Sequence, residues 1–171
     1  MLLPAQAAPA TSYLTSADQQ YLLSPAWSWQ QPPKAGQPEL RLNTNERFQS
    51  MEGFGYTLTG GSAMHLMQLS AERRAALLQE LFGADGLAVS YLRLSLGASD
   101  LDPQPFSYND LPAGQTDPDL KQFSIRADEQ YLLPVLKQIL AINPTIKLLA
   151  SPWSPPAWMK SNQATVGGEL L

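Results

Sequence analysis

Two tryptophans, an arginine and an aspartate are the residues of this sequence best suited to chemistry on a ligand. Trp153 and Trp158 sit in Leu148-Leu149-Ala150-Ser151-Pro152-Trp153-Ser154-Pro155-Pro156-Ala157-Trp158-Met159-Lys160, where an apolar run breaks into a proline-stiffened loop. Proline fixes φ and removes a backbone donor, so such a loop is rigid before any ligand arrives. Aromatic faces held on a rigid loop suit the apolar face of a sugar ring; the same residues also suit a corner that only packs the domain. Arg93 and Asp100 lie on one run, Arg93-Leu94-Ser95-Leu96-Gly97-Ala98-Ser99-Asp100. A buried guanidinium needs a partner, most simply a carboxylate, whereas a rim arginine needs only solvent. A carboxylate at position 100 can accept two hydroxyl donors, or can serve as an Asx-turn residue capping the loop.

Other chemistries find little support. Cysteine is absent, which leaves no thiol nucleophile and no cysteine metal centre, and His65 is the single histidine, which argues against a histidine metal centre or a Ser-His-Asp triad. His65 reads as a polar or partly buried helix residue. The formal net charge is -4 and no Lys/Arg cluster occurs, so a nucleic-acid partner is not expected. Gly53-Phe54-Gly55 and Gly60-Gly61 match neither glycine spacing used to cradle phosphates. No apolar run approaches the roughly 20 residues of a membrane span, so stable membrane insertion is not expected. Residues 1–11 read as a leader or the remnant of a signal peptide, with Ala5-Gln6-Ala7 fitting an A-x-A cleavage pattern; that points to a secreted or periplasmic protein.

The elements that must position these residues alternate along the chain. Residues 12–50 are rich in Pro, Gln, Ser and Thr, with two strand-like pieces, Ser12–Thr15 and Glu39–Leu42, on either side of Trp27 and Trp29. Neither can form an independent sheet. Beyond them a strand over Gly53–Leu58 leads to a helix capped by Ser70 at its start and Gly83 at its end, with Leu77, Leu78, Leu81 and Phe82 on one face. A strand over Leu87–Ser95 comes next, then a loop from Gly97 to Ala127 containing four prolines. Loops of that length are usually functional or disordered; Phe106, Tyr108 and Phe123 favour an ordered one. A helix opened by Asp128 and Glu129 becomes regular near Pro134, exposes an apolar face of Leu132, Leu133, Leu136, Ile139 and Leu140, and stops at Asn143-Pro144. The strand Ile146–Leu149 then enters the tryptophan loop. Strand, helix, strand, helix, strand is the order of α/β units with parallel strands. On the second strand Ala88, Ser90, Leu92, Leu94 and Leu96 share the side suited to helices. Leu87, Val89, Tyr91, Arg93 and Ser95 share a side that turns polar toward its C-terminal end, as in a barrel strand lining a site or in a doubly wound sheet.

Three stretches together, Glu52-Gly53-Phe54-Gly55, Arg93 to Asp100, and Leu149 to Lys160, resemble glycoside hydrolase family 30, the glucosylceramidase-like retaining β-glycosidases. The resemblance covers roughly residue 12 to the end. It implies a (β/α)₈ barrel with a side β-sandwich, in which residues 12–50 supply N-terminal sandwich strands and residues 51–171 the first three β/α units of an incomplete barrel. It implies that Arg93 stands beside the catalytic nucleophile, that Asp100 accepts hydroxyls of the sugar in the reactive subsite, and that Trp153 lines that subsite with its indole N–H on a sugar hydroxyl. Trp158 is assigned to packing the loop. The first-strand motif departs from the family in one place: Thr59 is followed by Gly60 where aspartate is common, a variant that leans toward a polysaccharide-acting enzyme.

The implied activity is hydrolysis of β-glucosides, of the glucosylceramide or β-1,6-glucan type, by double displacement and without a metal or organic cofactor. That reaction needs two carboxyl groups about 5 Å apart, both glutamates in this family, on the fourth and seventh strands. No residue of this chain is assigned to either: the one Asn-Glu pair, Asn45-Glu46, precedes the first barrel strand. A barrel takes about 250 residues, so the 171 residues read as an N-terminal fragment, inactive and poorly stable without the missing C-terminal part. A non-catalytic carbohydrate-binding protein using the Trp153/Asp100 surface is the alternative, and an unrelated doubly wound domain a third reading.

Overall fold

A computed structural model describes residues 11–22, 24–28, 43 and 45–171. It divides into two units, residues 1–49 and 50–171. In the first, β1 (Thr11–Leu14) pairs antiparallel with β2 (Ser24–Ser28), with an irregularity between Ser12 and Tyr13. The strand around Trp27 is an element that composition did not suggest: Pro25 within it is unfavourable for pairing except at an edge. The expected strand at Glu39–Leu42, and the leader over residues 1–10, lie outside the described residues.

The second unit holds a three-stranded parallel sheet in the order β3 (Gly55–Leu58), β4 (Tyr91–Leu96), β5 (Lys147–Pro152). Its connections carry α1 (Gly60–Gln68), α2 (Ala71–Phe82) and α3 (Leu132–Ile142). The expected α/β architecture with parallel strands is thus present. Local chemistry explains most boundaries. Ser70 Oγ accepts the Arg73 N–H at 3.3 Å and Gly83 closes α2, as their types predict. Pro134 falls in the first turn of α3, where no intrahelical acceptor awaits its missing N–H.

Four features differ from expectation, one being β5, which begins at Lys147 and runs on to Pro152 rather than spanning Ile146–Leu149. The first strand begins at Gly55 rather than Gly53. The β4 strand begins at Tyr91 because the preceding residues are tied to the end of α2: Leu87 N–H donates to Glu80 at 2.8 Å, Val89 N–H to Leu81 at 3.0 Å, and Ala88 takes a φ of 49°. The whole of α1 is additional. Its first turn contains Gly60 and Gly61, poor helix formers, and is started by Thr59, whose hydroxyl accepts the Ser62 N–H at 3.1 Å. The glycines are required by packing: a Cβ on Gly60 would overlap the Asp102 carboxylate, and one on Gly61 the Leu101 carbonyl.

The core lies between one face of the sheet and the helices. Leu58 and Leu92 of the sheet pack with Ala63, Leu78, Phe82, Leu132, Val135, Leu136, Ile139 and Ile146. Within α3 it is Val135 rather than Leu133 that is buried, since the helical phase is set from Leu132. Leu96, expected on the covered side, is exposed at the strand end, beyond the helices. The other face of the sheet, with Thr57, Tyr91, Arg93 and Leu149, is open.

Candidate functional site

The C-terminal ends of the three strands lie side by side, and the loops that leave them carry the polar groups. In parallel α/β sheets this end is where ligands are held, because the loops there are free to vary over a fixed frame. From β4 the chain enters the loop 97–127 and from β5 the tryptophan loop. Gly97, at φ 82°, makes the first turn, and the Ala98 N–H then donates to the Phe106 carbonyl at 2.9 Å, folding the segment 98–106 back on itself.

Asp100 and Trp153 come together. Both line one cleft of about 230 Å³, walled also by Pro105, Phe106, Pro155 and Val166. Asp100 is exposed, and its carboxylate accepts no hydrogen bond from any described residue. Trp153 is 46% exposed, with its ring available to the cleft. Arg93 stands behind this pair. Its guanidinium carbon lies 5.6 Å from the centre of the Trp153 ring, and its Nε and Nη2 donate to Ser151 Oγ at 3.1 and 2.9 Å. The register that sets Arg93 opposite Leu149, and Ser95 opposite Ser151, puts Arg93 and Ser151 on the same face of the sheet.

The carboxylate partner expected for a buried Arg93 is therefore replaced. Arg93 is only half-buried, and among the described residues its partners are a hydroxyl and an aromatic face. Cation–π contact suits guanidinium because that ion is weakly hydrated. Ser151 and Phe106 are site residues that pattern alone did not single out; Ser151 stands two residues before Trp153 on the same run, which was the available signal.

The long loop is ordered by its own polar groups. Asp117, buried, accepts the Gln122 and Lys121 N–H groups at 2.7 and 3.0 Å and the Asn109 amide at 3.2 Å. Those backbone donors, Gln122 first, hold its carboxyl below the ordinary range. Phe106, Tyr108 and Phe123 form the expected aromatic cluster, with ring centres 6.4 and 5.6 Å apart. Trp158, assigned to packing, donates its indole N–H to the Asn109 carbonyl at 3.0 Å and so joins the two loops. His65 is exposed on α1, beside Gln68.

Tyr108 also donates to the buried Asp128, which closes the far end of the loop on the 3₁₀ turn Arg126–Glu129. Burial first, and then Asp128, push the Tyr108 hydroxyl up to about 12. The folded chain holds this proton more tightly than the unfolded chain, so its contribution to stability is full below the ordinary tyrosine value of 10.0 and is lost as pH rises through about 12. Asp128 is likewise raised, by burial first and also by Asp102, with the Tyr108 bond opposing; its contribution is lost at lower pH, as pH climbs through that raised value. Tyr108→Phe is expected to flatten the alkaline decline. Urea midpoints measured from about pH 9 to about pH 12 should fall less steeply in the variant than in the parent, and identical slopes would show that folding does not shift the Tyr108 hydroxyl.

Chemically, the cleft offers a free carboxylate for hydroxyl donors and an indole face for an apolar ring, with a cation behind that face. Among the described residues no cluster of His, Cys, Asp and Glu could hold a metal ion.

Comparison with known proteins gives the family. Residues 51–171 match the glycosyl hydrolase family 30 TIM-barrel domain. An endo-1,6-β-D-glucanase of Neurospora crassa is 33% identical over 175 residues, covering 96% of this chain and 36% of that protein. The lysosomal acid glucosylceramidase of Mus musculus is 30% identical over 125 residues, covering 72% of this chain and 24% of that one. Among solved structures, SrfJ from Salmonella typhimurium superposes with a TM-score of 0.68 at 32% identity, over 74% of this chain and 28% of that chain. An endo-β1,6-glucanase superposes at 0.65 and 33% identity, over 88% and 32%. This chain thus spans between 24% and 36% of the length of these relatives. With residues 51–171 matching its TIM-barrel domain and a relative 33% identical over 96% of its length, the chain belongs to glycosyl hydrolase family 30.

Proposed function

We propose that this chain is the N-terminal part of a retaining β-glycosidase that hydrolyses β-glucosides, of the β-1,6-glucan or glucosylceramide type, by double displacement. In this reading β3, β4 and β5 with their helices are the first three units of a barrel, and the antiparallel pair β1–β2 belongs to a side sandwich. The open face around Thr57, Tyr91 and Leu149 is then the inner wall, covered when the remaining strands close the barrel. Asp100 accepts sugar hydroxyls, Trp153 supports the ring, and Arg93 projects toward the nucleophile, whose ionised form its charge favours. Both catalytic glutamates come from sequence outside these 171 residues, so the chain alone is inactive.

One observation carries the reading: Asp100 and Trp153, 53 positions apart in sequence, line a single cleft at the C-terminal ends of parallel strands. The similarity to both an endo-1,6-β-glucanase and a glucosylceramidase supports the β-glucoside class. Gly60 after Thr59 favours the polysaccharide branch.

The test is a hydrolysis panel on the whole protein, with β-1,6-glucan, β-glucosylceramide and aryl β-glucosides. Turnover of one of these with retained anomeric configuration is expected. Binding of glucan without turnover of any β-glycoside would instead establish a carbohydrate-binding protein acting through Trp153 and Asp100.

A further inference from the structure

We propose that a second cavity, under the loop after β4 and distinct from the Trp153 cleft, binds a further sugar unit of the same glucan chain. This rests on the reading of the protein as a glucan-acting enzyme. The cavity measures about 390 Å³ and lies between the start of α1, the 3₁₀ turn Arg126–Glu129 and the first residue of α3.

Two carboxylates point to its ligand. Asp102 is anchored by one oxygen: Oδ2 accepts the Ser99 N–H at 2.8 Å and the Ser99 hydroxyl at 2.9 Å. Its Oδ1 lies over Gly60, in the space a Cβ would take, and accepts nothing from the described residues. Asp128 is only 5% exposed; its Oδ2 accepts the Tyr108 hydroxyl, while Oδ1 accepts no bond from any described residue. Neither free oxygen is sealed from water, so a ligand hydroxyl can take the place of solvent at each. The cavity therefore presents two acceptors open to donors.

The rest of the lining selects among donors. Gln104 and Gln130 add amides that both donate and accept, and Phe106 and Tyr131 add aromatic surface. No lysine or arginine lines the cavity, which is wrong for a phosphate or any other anion. Hydroxyls flanking an apolar ring face match acceptors, amides and aromatics together. Phe106 also lines the Trp153 cleft, so the folded-back segment 98–106 is a ridge with one cavity on each side. A glucan chain crossing that ridge places different units in the two cavities, and a short oligosaccharide reaches only one.

The experiment is calorimetric titration of the whole protein with a β-1,6-linked disaccharide and a hexasaccharide. Gly60→Ala, which displaces the Asp102 carboxylate, is expected to weaken the hexasaccharide roughly tenfold, the scale of a lost hydrogen bond to a charged group, and to weaken the disaccharide by a smaller factor, since Asp102 also holds Ser99 at the Trp153 cleft. Gln130→Ala, at an exposed position that does not endanger folding, is expected to act in the same direction by a smaller factor. Hexasaccharide affinity unaltered in both variants, or the two sugars weakened equally, would overturn the second site while leaving the Trp153 cleft intact. A parent protein that binds neither sugar would sink the glucan reading itself, and this proposal with it.

Discussion

Alanine at Trp153 is expected to lower kcat/KM of the whole protein on its β-glucoside on the order of 30- to 100-fold, the loss of about 2–3 kcal/mol that a central aromatic anchor carries. Two effects combine. The ring supplies one wall of the cleft shared with Asp100, and it also shields the Arg93 guanidinium, whose carbon is 5.6 Å away. Arg93 keeps its bonds to Ser151 in the variant, so the cation stays near its place but is more exposed to water. The ring is 46% exposed without ligand, so folding stability should scarcely change. That separates a binding role from a packing one: a large loss of activity with an unchanged unfolding midpoint is expected. Trp153→Phe, which retains an aromatic face without the indole N–H, should fall between. Full activity in Trp153→Ala would remove this residue from the site.

Leu92→Ala is expected to cost about 3–4 kcal/mol of stability, a large share of the ~5–15 kcal/mol that holds an ordinary domain together. Leu92 is fully buried at the centre of the sheet, opposite Tyr56 on one neighbour and Leu148 on the other, and it packs in the cluster with Leu58, Val135 and Ile139. Neighbours on two strands cannot collapse into the space without breaking their ladders, so the cavity persists. Leu149→Ala makes a useful comparison. Leu149 is 56% exposed on the open face of this chain, where truncation costs little. In the whole protein, closure of a barrel over that face would bury it and raise the cost to the scale of a core leucine. Urea unfolding of both variants in the whole protein measures the difference. A near-zero effect for Leu149→Ala there would mean that the face stays open.

Much of the frame was legible because it depends on short-range physics. Ser70 and Gly83 bound α2 through contacts within a turn of themselves, and the run Leu148–Lys160 shows by composition alone that a strand gives way to a stiff loop. Two elements were hidden. The glycines that open α1 argue against a helix by propensity, and only the Asp102 carboxylate and the Leu101 carbonyl, from a loop some forty residues on, explain why nothing larger fits. The second strand of the N-terminal pair was obscured by a proline that pairing tolerates.

The sequence by itself determined the kind of groups available: an arginine, an aspartate and a tryptophan at the ends of parallel strands, and no cysteine, with one histidine only. Their types, their alternation along each strand and the three family stretches are local properties, and local properties survive in one dimension. Tertiary structure alone decided their partners. Arg93 turned to Ser151 and Trp153 rather than to a carboxylate because strand register, set 58 residues away, brings a hydroxyl and a ring within reach on the open face. Asp102 and Asp128, unremarked as a pair, meet at one cavity because a thirty-residue loop folds back on itself and is pinned at both ends. Such pairings follow from loop closure and packing, which no window of sequence contains.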